Sequence, residues 1–291
     1  MAKQLVLDSA ATKTRFVCRV FIVTGGASGV GLATAERLLN DGASVAIFDI
    51  NNQAGEEAEQ RLKSSGYAVR FYSVDVSQQD ICAEAVGRVV SELGTGSIHG
   101  LVNSAVYFGS QGLQATNADW EKTMSVNVLG VSNMVQACVP YMKKEEDPAI
   151  VNLTSISGLR AQPNRWTYAT SKGGIISLTK CMALDLSERG IRVNSCSPSW
   201  VWTPEVLKAA KNDRATHEPK WGAYHMLRRI AEPCEVAASI VFLLSKDASF
   251  ITGANLDVDG GYTAMSAEGY GDPNNFAGTT YEAEKKKSDT N

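Results

Sequence analysis

The feature that most constrains this chain is an alternation. Short β-branched runs (VCRVFIVTG, SVAIFDI, VRFYSVDV, IHGLVNSAV, AIVNLTSI, IRVNSCSP and NLDVDGG) recur from Val17 to Ala264, separated by longer stretches with helical patterning. Such alternation is the signature of stacked βαβ units, a parallel sheet with helices on both faces. The runs are mostly apolar throughout, as strands covered on both faces should be. The expected fold is α/β: a doubly wound, Rossmann-type parallel sheet of about seven strands. At 291 residues and 44% hydrophobic composition, the chain can bury that core as a single domain.

Three segments stand outside the alternation. Residues 1–14 form an N-terminal extension to a domain spanning 15–265. Residues 203–229, with Pro204, Pro219 and Trp221, interrupt the pattern between the sixth and seventh strands and read as a helical lid. Residues 266–291 are polar and rich in Gly, Asn and Thr, a composition expected to form a flexible or loosely docked tail.

The formal net charge of −3 and the dispersed basic residues leave no electrostatic footprint for nucleic acid or for an anionic membrane. No apolar stretch approaches the length of a membrane span, and the opening MAKQLVLDSAATKTRF lacks a signal-peptide core. A soluble, cytoplasmic protein is the expectation. Cys18, Cys82, Cys138, Cys181, Cys196 and Cys234 show no C-x-x-C spacing, which argues against zinc and against a disulfide framework. His99, His217 and His225 have no metal-ligand spacing, so no metal is expected and none is assigned a catalytic role. Small-molecule chemistry remains.

The first strand runs into Thr24-Gly25-Gly26-Ala27-Ser28-Gly29-Val30-Gly31, followed by the helical LATAERLLN. Glycines between a strand and a helix let the backbone approach a pyrophosphate, whose charge is met by the helix N-terminus. Asp49 ends the next strand, where a carboxylate accepts hydrogen bonds from the adenosine ribose hydroxyls. A 2′-phosphate about 4 Å from that carboxylate would be repelled by roughly 1 to 4 kcal/mol. No Arg or Lys at 50 to 52, or within the glycine turn, compensates. The pattern predicts NAD rather than NADP; the competing reading of Asp49 is a helix-capping or solvated strand-end carboxylate.

Tyr168 and Lys172 lie four residues apart in YATSK, so on a helix the phenol and the ammonium share one face. Thirteen residues before Tyr168, a strand ends at Ser155, and Asn127 sits in the earlier helical MSVNVLG. Singly, each has a bland reading: such a helix pair arises by chance, and a strand-end Ser is usually a cap. Together with the glycine pattern, however, Asn127, Ser155, Tyr168 and Lys172 resemble the tetrad of the short-chain dehydrogenase/reductase family. Asp75-Val76 in YSVDV resembles the family's adenine contact, and Asp259-Gly260-Gly261 its last-strand motif. The resemblance covers about residues 15 to 265.

That resemblance implies an NAD-dependent oxidoreductase that interconverts a secondary alcohol and a ketone by hydride transfer, with Tyr168 as general acid/base. A tyrosine with its ordinary pKa of about 10 is too weak a base near neutrality. A cation about 4 Å away supplies about 4 kcal/mol at an effective dielectric of about 20, which is the part expected of Lys172. By resemblance Lys172 also holds the nicotinamide ribose, and Asn127 holds a water in a proton relay. Ser155 is expected to hydrogen-bond the substrate oxygen. The expected cofactor contacts are Gly25, Ser28, Gly29, Val30, Gly31, Asp49, Asp75, Val76, Asn103, Tyr168, Lys172, Pro198, Val201 and Thr203. A homotetramer or dimer, packed through the helices after the fourth and fifth strands, is implied in the same way.

Two departures bear on the active-site end. The family's N-N-A-G is Asn103-Ser104-Ala105-Val106 here, and its Pro-Gly is Pro198-Ser199. A β-branched Val106 where glycine would let backbone pass close to the cofactor puts the shape near the nicotinamide ribose in question. Both changes are expected to reshape the substrate side rather than abolish activity. Tyr107, Trp166, Trp200, Trp202 and Trp221 are candidates for an apolar slot around a flat or ring-shaped substrate, against packing of the lid or an interface. Arg160 and Arg165 either pair an anionic group or belong to a solvated loop. The competing functions are a non-catalytic NAD-binding sensor or scaffold and, less well matched, an epimerase or dehydratase, because only a polar tail follows the domain.

Overall fold

The computed structural model describes residues 14–93, 96–266 and 269. All but Thr14 of the N-terminal extension, and all but Ser266 and Gly269 of the tail, lie outside the described residues.

β1 (Val20–Thr24) passes through the glycine turn into α1 (Gly29–Asn40), and β2 (Ser44–Asp49), α2 (Asn52–Ser64), β3 (Val69–Ser73) and α3 (Gln79–Glu92) complete the first half. The second half comprises β4 (Gly100–Asn103), α4 (Asn117–Met124), α5 (Gly130–Cys138), β5 (Ala149–Leu153), α6 (Trp166–Leu186) and β6 (Arg192–Pro198). The segment expected as a lid follows as α7 (Pro204–Ala209) and α8 (Arg214–Gly222), then α9 (Pro233–Leu244) and β7 (Asn255–Val258). The strands form one sheet in the order β3-β2-β1-β4-β5-β6-β7, and every pairing is parallel. The expected architecture is the observed one.

Successive residues of each strand enter opposite cores. Phe21, Val23, Val45 and Ile47 pack with α1, α2 and α9, whereas Val20, Ile22, Ala46 and Phe48 pack with α3, α5 and α6. Each fully buried side chain of this size contributes about 1.5 to 3 kcal/mol of hydrophobic stabilisation, so both strand faces must be apolar. Local signals set where helices begin: Thr116 and Asp119 cap α4 reciprocally, and Pro233 opens α9 inside a similar Glu232–Glu235 box. Between α4 and α5 a π turn spans Ser125–Leu129 and carries Asn127. Such turns recur at functional sites. The lid buries its own small cluster, in which Trp202, Ala210 and Ile230 pack with Trp200, Val206, Leu207 and Trp221.

All six cysteines are free. Among the described residues, no group of His, Cys, Asp and Glu is placed to hold a metal ion, and no helix is long and apolar enough to cross a membrane.

Candidate active site

The strand order reverses direction between β1 and β4, and ligands of open α/β sheets bind beyond the strand C-termini at that point. A cleft of about 340 Å³ lies there, lined by Gly25, Ser28, Gly29, Val30, Gly31, Asp49, Asp75, Val76 and Thr203. Gly25 adopts φ of 61°, and a Cβ on it would sit 2.9 Å from the Ala105 Cα. A Cβ on Gly31 would sit 2.1 Å from the Gly25 carbonyl oxygen. The turn is therefore closed by backbone packed on backbone. Ser28 is extended and makes no side-chain cap, so the first-turn N–H groups of α1 are left to a ligand.

Asp49 combines both readings of the sequence. Its Oδ2 accepts from the Ala27 N–H at 3.1 Å and its Oδ1 from the Asn51 N–H at 3.0 Å, yet the carboxylate also lines the cleft. Beside it, Ile50 is 72% exposed at the cleft edge. Thr24 was missed as a functional position. Its Oγ1 accepts from the Ser104 and Ala105 N–H groups at 3.0 and 3.1 Å, tying the glycine turn to the segment after β4. Asn103, Pro198 and Val201 do not line the cleft. They are buried behind it, with Asn103 Nδ2 donating to Asn152 Oδ1 at 2.9 Å and Val201 bridging to Ala231. Val106 lines the cleft without closing it.

A second cavity of about 300 Å³ holds Ser155 and Tyr168, and adjoins the first through Phe108 and Glu205, which line both. Tyr168 and Lys172 lie on the buried face of α6, as the spacing predicts. Ser155 Oγ accepts from the Ser157 N–H at 3.1 Å and caps the short turn Ile156–Gly158. Phe108 stacks on the Tyr168 ring with centroids 5.6 Å apart, and the Arg165 guanidinium lies 5.8 Å from that ring. Lys172 Nζ lies 5.7 Å from the ring centroid and donates to the Leu153 carbonyl at 2.8 Å.

The electrostatics depart from the expectation. Burial pushes the Tyr168 phenol above its ordinary pKa, while the Ser155 hydrogen bond and the Arg165 charge pull it down. Burial also brings Lys172 down to about 7. The lysine is anchored on the Leu153 carbonyl, and the charge that pulls the phenol down is that of Arg165. Asn127 makes three hydrogen bonds. Its Oδ1 accepts from the Tyr107 N–H at 2.7 Å, and its Nδ2 donates to the Tyr107 carbonyl at 3.2 Å and to Ser171 Oγ at 3.0 Å. The side chain clamps the Tyr107 segment to α6 and makes no bond to Lys172.

Only two of the five aromatic candidates line the cavity that holds Ser155 and Tyr168, namely Trp200 and Trp221, stacked with centroids 4.9 Å apart. Tyr107 lines the larger cleft instead. Trp166 is 53% exposed and lines neither space. Trp202 is buried under the lid with its indole N–H on Glu218 Oε2 at 2.6 Å. Arg165 lines the cavity with no ion pair among the described residues, whereas Arg160 donates to the Thr263 carbonyl. His99 is structural: its Nδ1 accepts from the Val20 N–H at 3.0 Å. His225, given no role from the sequence, bonds Ser199 at the cavity wall.

A family model described as enoyl-(acyl carrier protein) reductase matches residues 25–263. The chain is 36% identical over 250 residues to a cyclopentanol dehydrogenase of a Comamonas species, covering 84% of this chain and 97% of that one. It is 34% identical over 244 residues to a 3-oxoacyl-[acyl-carrier-protein] reductase of Thermotoga maritima, covering 84% and 97%. The ligand-free structure of the aldohexose dehydrogenase of Thermoplasma acidophilum superimposes with a TM-score of 0.78 at 32% identity, covering 88% and 97%.

Proposed function

The chain belongs to the short-chain dehydrogenase/reductase family, and on that premise we propose that it interconverts a secondary alcohol and a ketone with NAD. The observation that carries the reading is the shared wall: Ser155 and Tyr168 line one cavity that opens onto the glycine cleft.

The cleft suits a dinucleotide because its glycines leave no room for Cβ atoms where backbone meets backbone, and because α1 presents uncapped N–H groups. Gly25, Gly29 and Gly31 would cradle the pyrophosphate, with Asp49 on the adenosine ribose and Asp75 and Val76 at the adenine. When bound, the nicotinamide takes up or returns the hydride. Tyr168 Oη takes the alcohol proton in oxidation and gives it back in reduction. Ser155 Oγ holds the substrate oxygen and stabilises the charge that develops on it. Lys172 supplies positive charge once protonated, and Asn127 keeps the Tyr107 segment and α6 in register.

Asp49 supports NAD, since no Arg or Lys stands at 50 to 52 to neutralise a 2′-phosphate. Association through the faces of α5 and α6 is supported by the exposure of Leu129 beside α5 and of Leu184 on α6.

The test is NADH formation from NAD over a panel of cyclic and linear secondary alcohols. Tyr168→Phe is expected to lower turnover at least about 100-fold while NAD affinity is unchanged. Turnover that survives in Tyr168→Phe would overturn the assignment, and NAD binding without turnover on any alcohol would favour the sensor.

A further inference from the structure

Ser199 follows β6 directly, at a position where family resemblance places glycine, and it stands in the wall between the cavity that holds Ser155 and Tyr168 and a further cavity of about 250 Å³ that His225 also lines. Its Oγ lies 2.8 Å from Nε2 of His225. His225 is buried, and its Nδ1 lies 3.2 Å from the Trp221 carbonyl oxygen. A carbonyl only accepts, so Nδ1 carries the proton. In the neutral imidazole Nε2 is then an acceptor, and the Ser199 hydroxyl must donate to it. Burial keeps the imidazole below the ordinary histidine pKa, opposed by the Trp221 and Gly222 carbonyls, Asp259 and Glu218.

The consequence falls on the cavity side. With its only proton committed to His225, Ser199 Oγ retains lone pairs that accept no hydrogen bond among the described residues. A half-buried acceptor on a cavity wall is best satisfied by a donor on the occupant. The nearby Trp200–Trp221 stack supplies an apolar surface for the carbon skeleton of that occupant.

We propose that Ser199 selects for substrates with a second hydroxyl, so that the substrate class is cyclic diols and related polyhydroxy secondary alcohols. This rests on the reading of the chain as an alcohol dehydrogenase. Ser199 Oγ accepts from the hydroxyl that is not oxidised, while Ser155 and Tyr168 hold the one that is. His225 is a positioning residue: it fixes the direction of the Ser199 hydroxyl without touching substrate.

The experiment compares cyclohexanol with the cis and trans cyclohexane-1,2-, 1,3- and 1,4-diols in wild type, Ser199→Ala and His225→Phe. Turnover is read as NADH formation. Affinity is read by calorimetry with NAD present in the Tyr168→Phe background, where binding is separated from chemistry. At least one diol is expected to exceed cyclohexanol by about 10-fold in kcat/KM and in affinity, and Ser199→Ala to bring both ratios down to about 1. His225→Phe should lower the same ratio with cyclohexanol turnover retained, a selectivity change that mere loosening of the lid would not produce. If cyclohexanol and the diols turn over alike, with the ratio unmoved in Ser199→Ala, the inference falls and the dehydrogenase reading stands. If nothing turns over, the dehydrogenase reading falls and the substrate assignment falls with it, even where a diol binds about 10-fold tighter through Ser199. If no diol is preferred in either measurement, the inference is overturned.

Discussion

The two adjoining cavities are built by different means. The glycine turn of the dinucleotide cleft is made of backbone: Gly25 and Gly31 pack against main-chain atoms, and Thr24 fastens the turn to the segment after β4 through two N–H groups. The cavity beside it is made of side chains from five separated segments, with Phe108, Ser155, Tyr168, Ser199 and Trp221 among them. A backbone-built site has one shape and resists change, because any added atom displaces main chain. A side-chain-built site can be re-cut one residue at a time, and Ser199 for glycine is such a cut.

The largest expected effect comes from Lys172, on the buried face of α6 with Tyr168. Lys172 is neutral in the fold at a pH where the unfolded chain would hold it charged, since its pKa falls from 10.5 to about 7. The unfolded state therefore binds more protons between about pH 7 and 10.5, and stability rises with pH across that window. The penalty below pH 7 is on the order of 5 kcal/mol, partly offset by about 1 kcal/mol from the bond to the Leu153 carbonyl. Lys172→Met is expected to be more stable than wild type at pH 6, with the advantage shrinking steadily towards pH 10, while alcohol turnover is lost. Denaturant melts at four pH values check it. A stability difference that does not vary with pH would mean that the amine stays charged and hydrated in the fold.

Next comes the backbone-built side. In Gly31→Ala the new Cβ meets the Gly25 carbonyl at 2.1 Å, a distance no rotamer can relieve. Overpacking of this kind costs about 1 to 3 kcal/mol, so NAD affinity should fall about 10- to 100-fold by calorimetry. Retained affinity would show that the turn yields, and the contrast between the two cavities would weaken. Asp49→Asn is expected to do less. It removes the repulsion of a 2′-phosphate, about 1 to 4 kcal/mol, without supplying a cation, so the NAD-to-NADP ratio of kcat/KM should fall about 10-fold. An unchanged ratio would place the discrimination elsewhere on the cleft wall.

The same contrast explains how much was legible in the sequence. The seven strands were readable because a doubly buried strand must be apolar on both faces, and the glycine turn because a missing side chain is itself a signal. Tyr168 and Lys172 were readable because helix geometry alone brings i and i+4 together. The rest depends on contacts between distant segments. Ser199 and His225 are 26 positions apart, and no spacing rule joins a loop after a strand to the end of a lid. The anchoring of Lys172 on Leu153 and the stacking of Phe108 on Tyr168 are tertiary in the same way. Asn127 was found for its type and place, but its partners, the Tyr107 backbone and Ser171, belong to two other segments.

The smallest expected effect comes from the aromatic residues, where closeness in sequence misleads. Trp166 stands two positions before Tyr168 on α6, and two steps of an α-helix turn about 200°. The indole must therefore face away from the phenol, and it is 53% exposed. Phe108, sixty positions from Tyr168, stacks on its ring instead. Trp166→Ala is expected to leave kcat/KM within about twofold, as surface substitutions usually leave stability within about 0.5 kcal/mol. Phe108→Ala removes an aromatic pair worth about 0.5 to 1.5 kcal/mol and should lower kcat/KM about 3- to 10-fold. Steady-state kinetics on one alcohol suffice. If Trp166→Ala proved the more damaging, the α6 face proposed for association would extend to Trp166, and the wall of the cavity that holds Tyr168 would have to include a second copy of the chain.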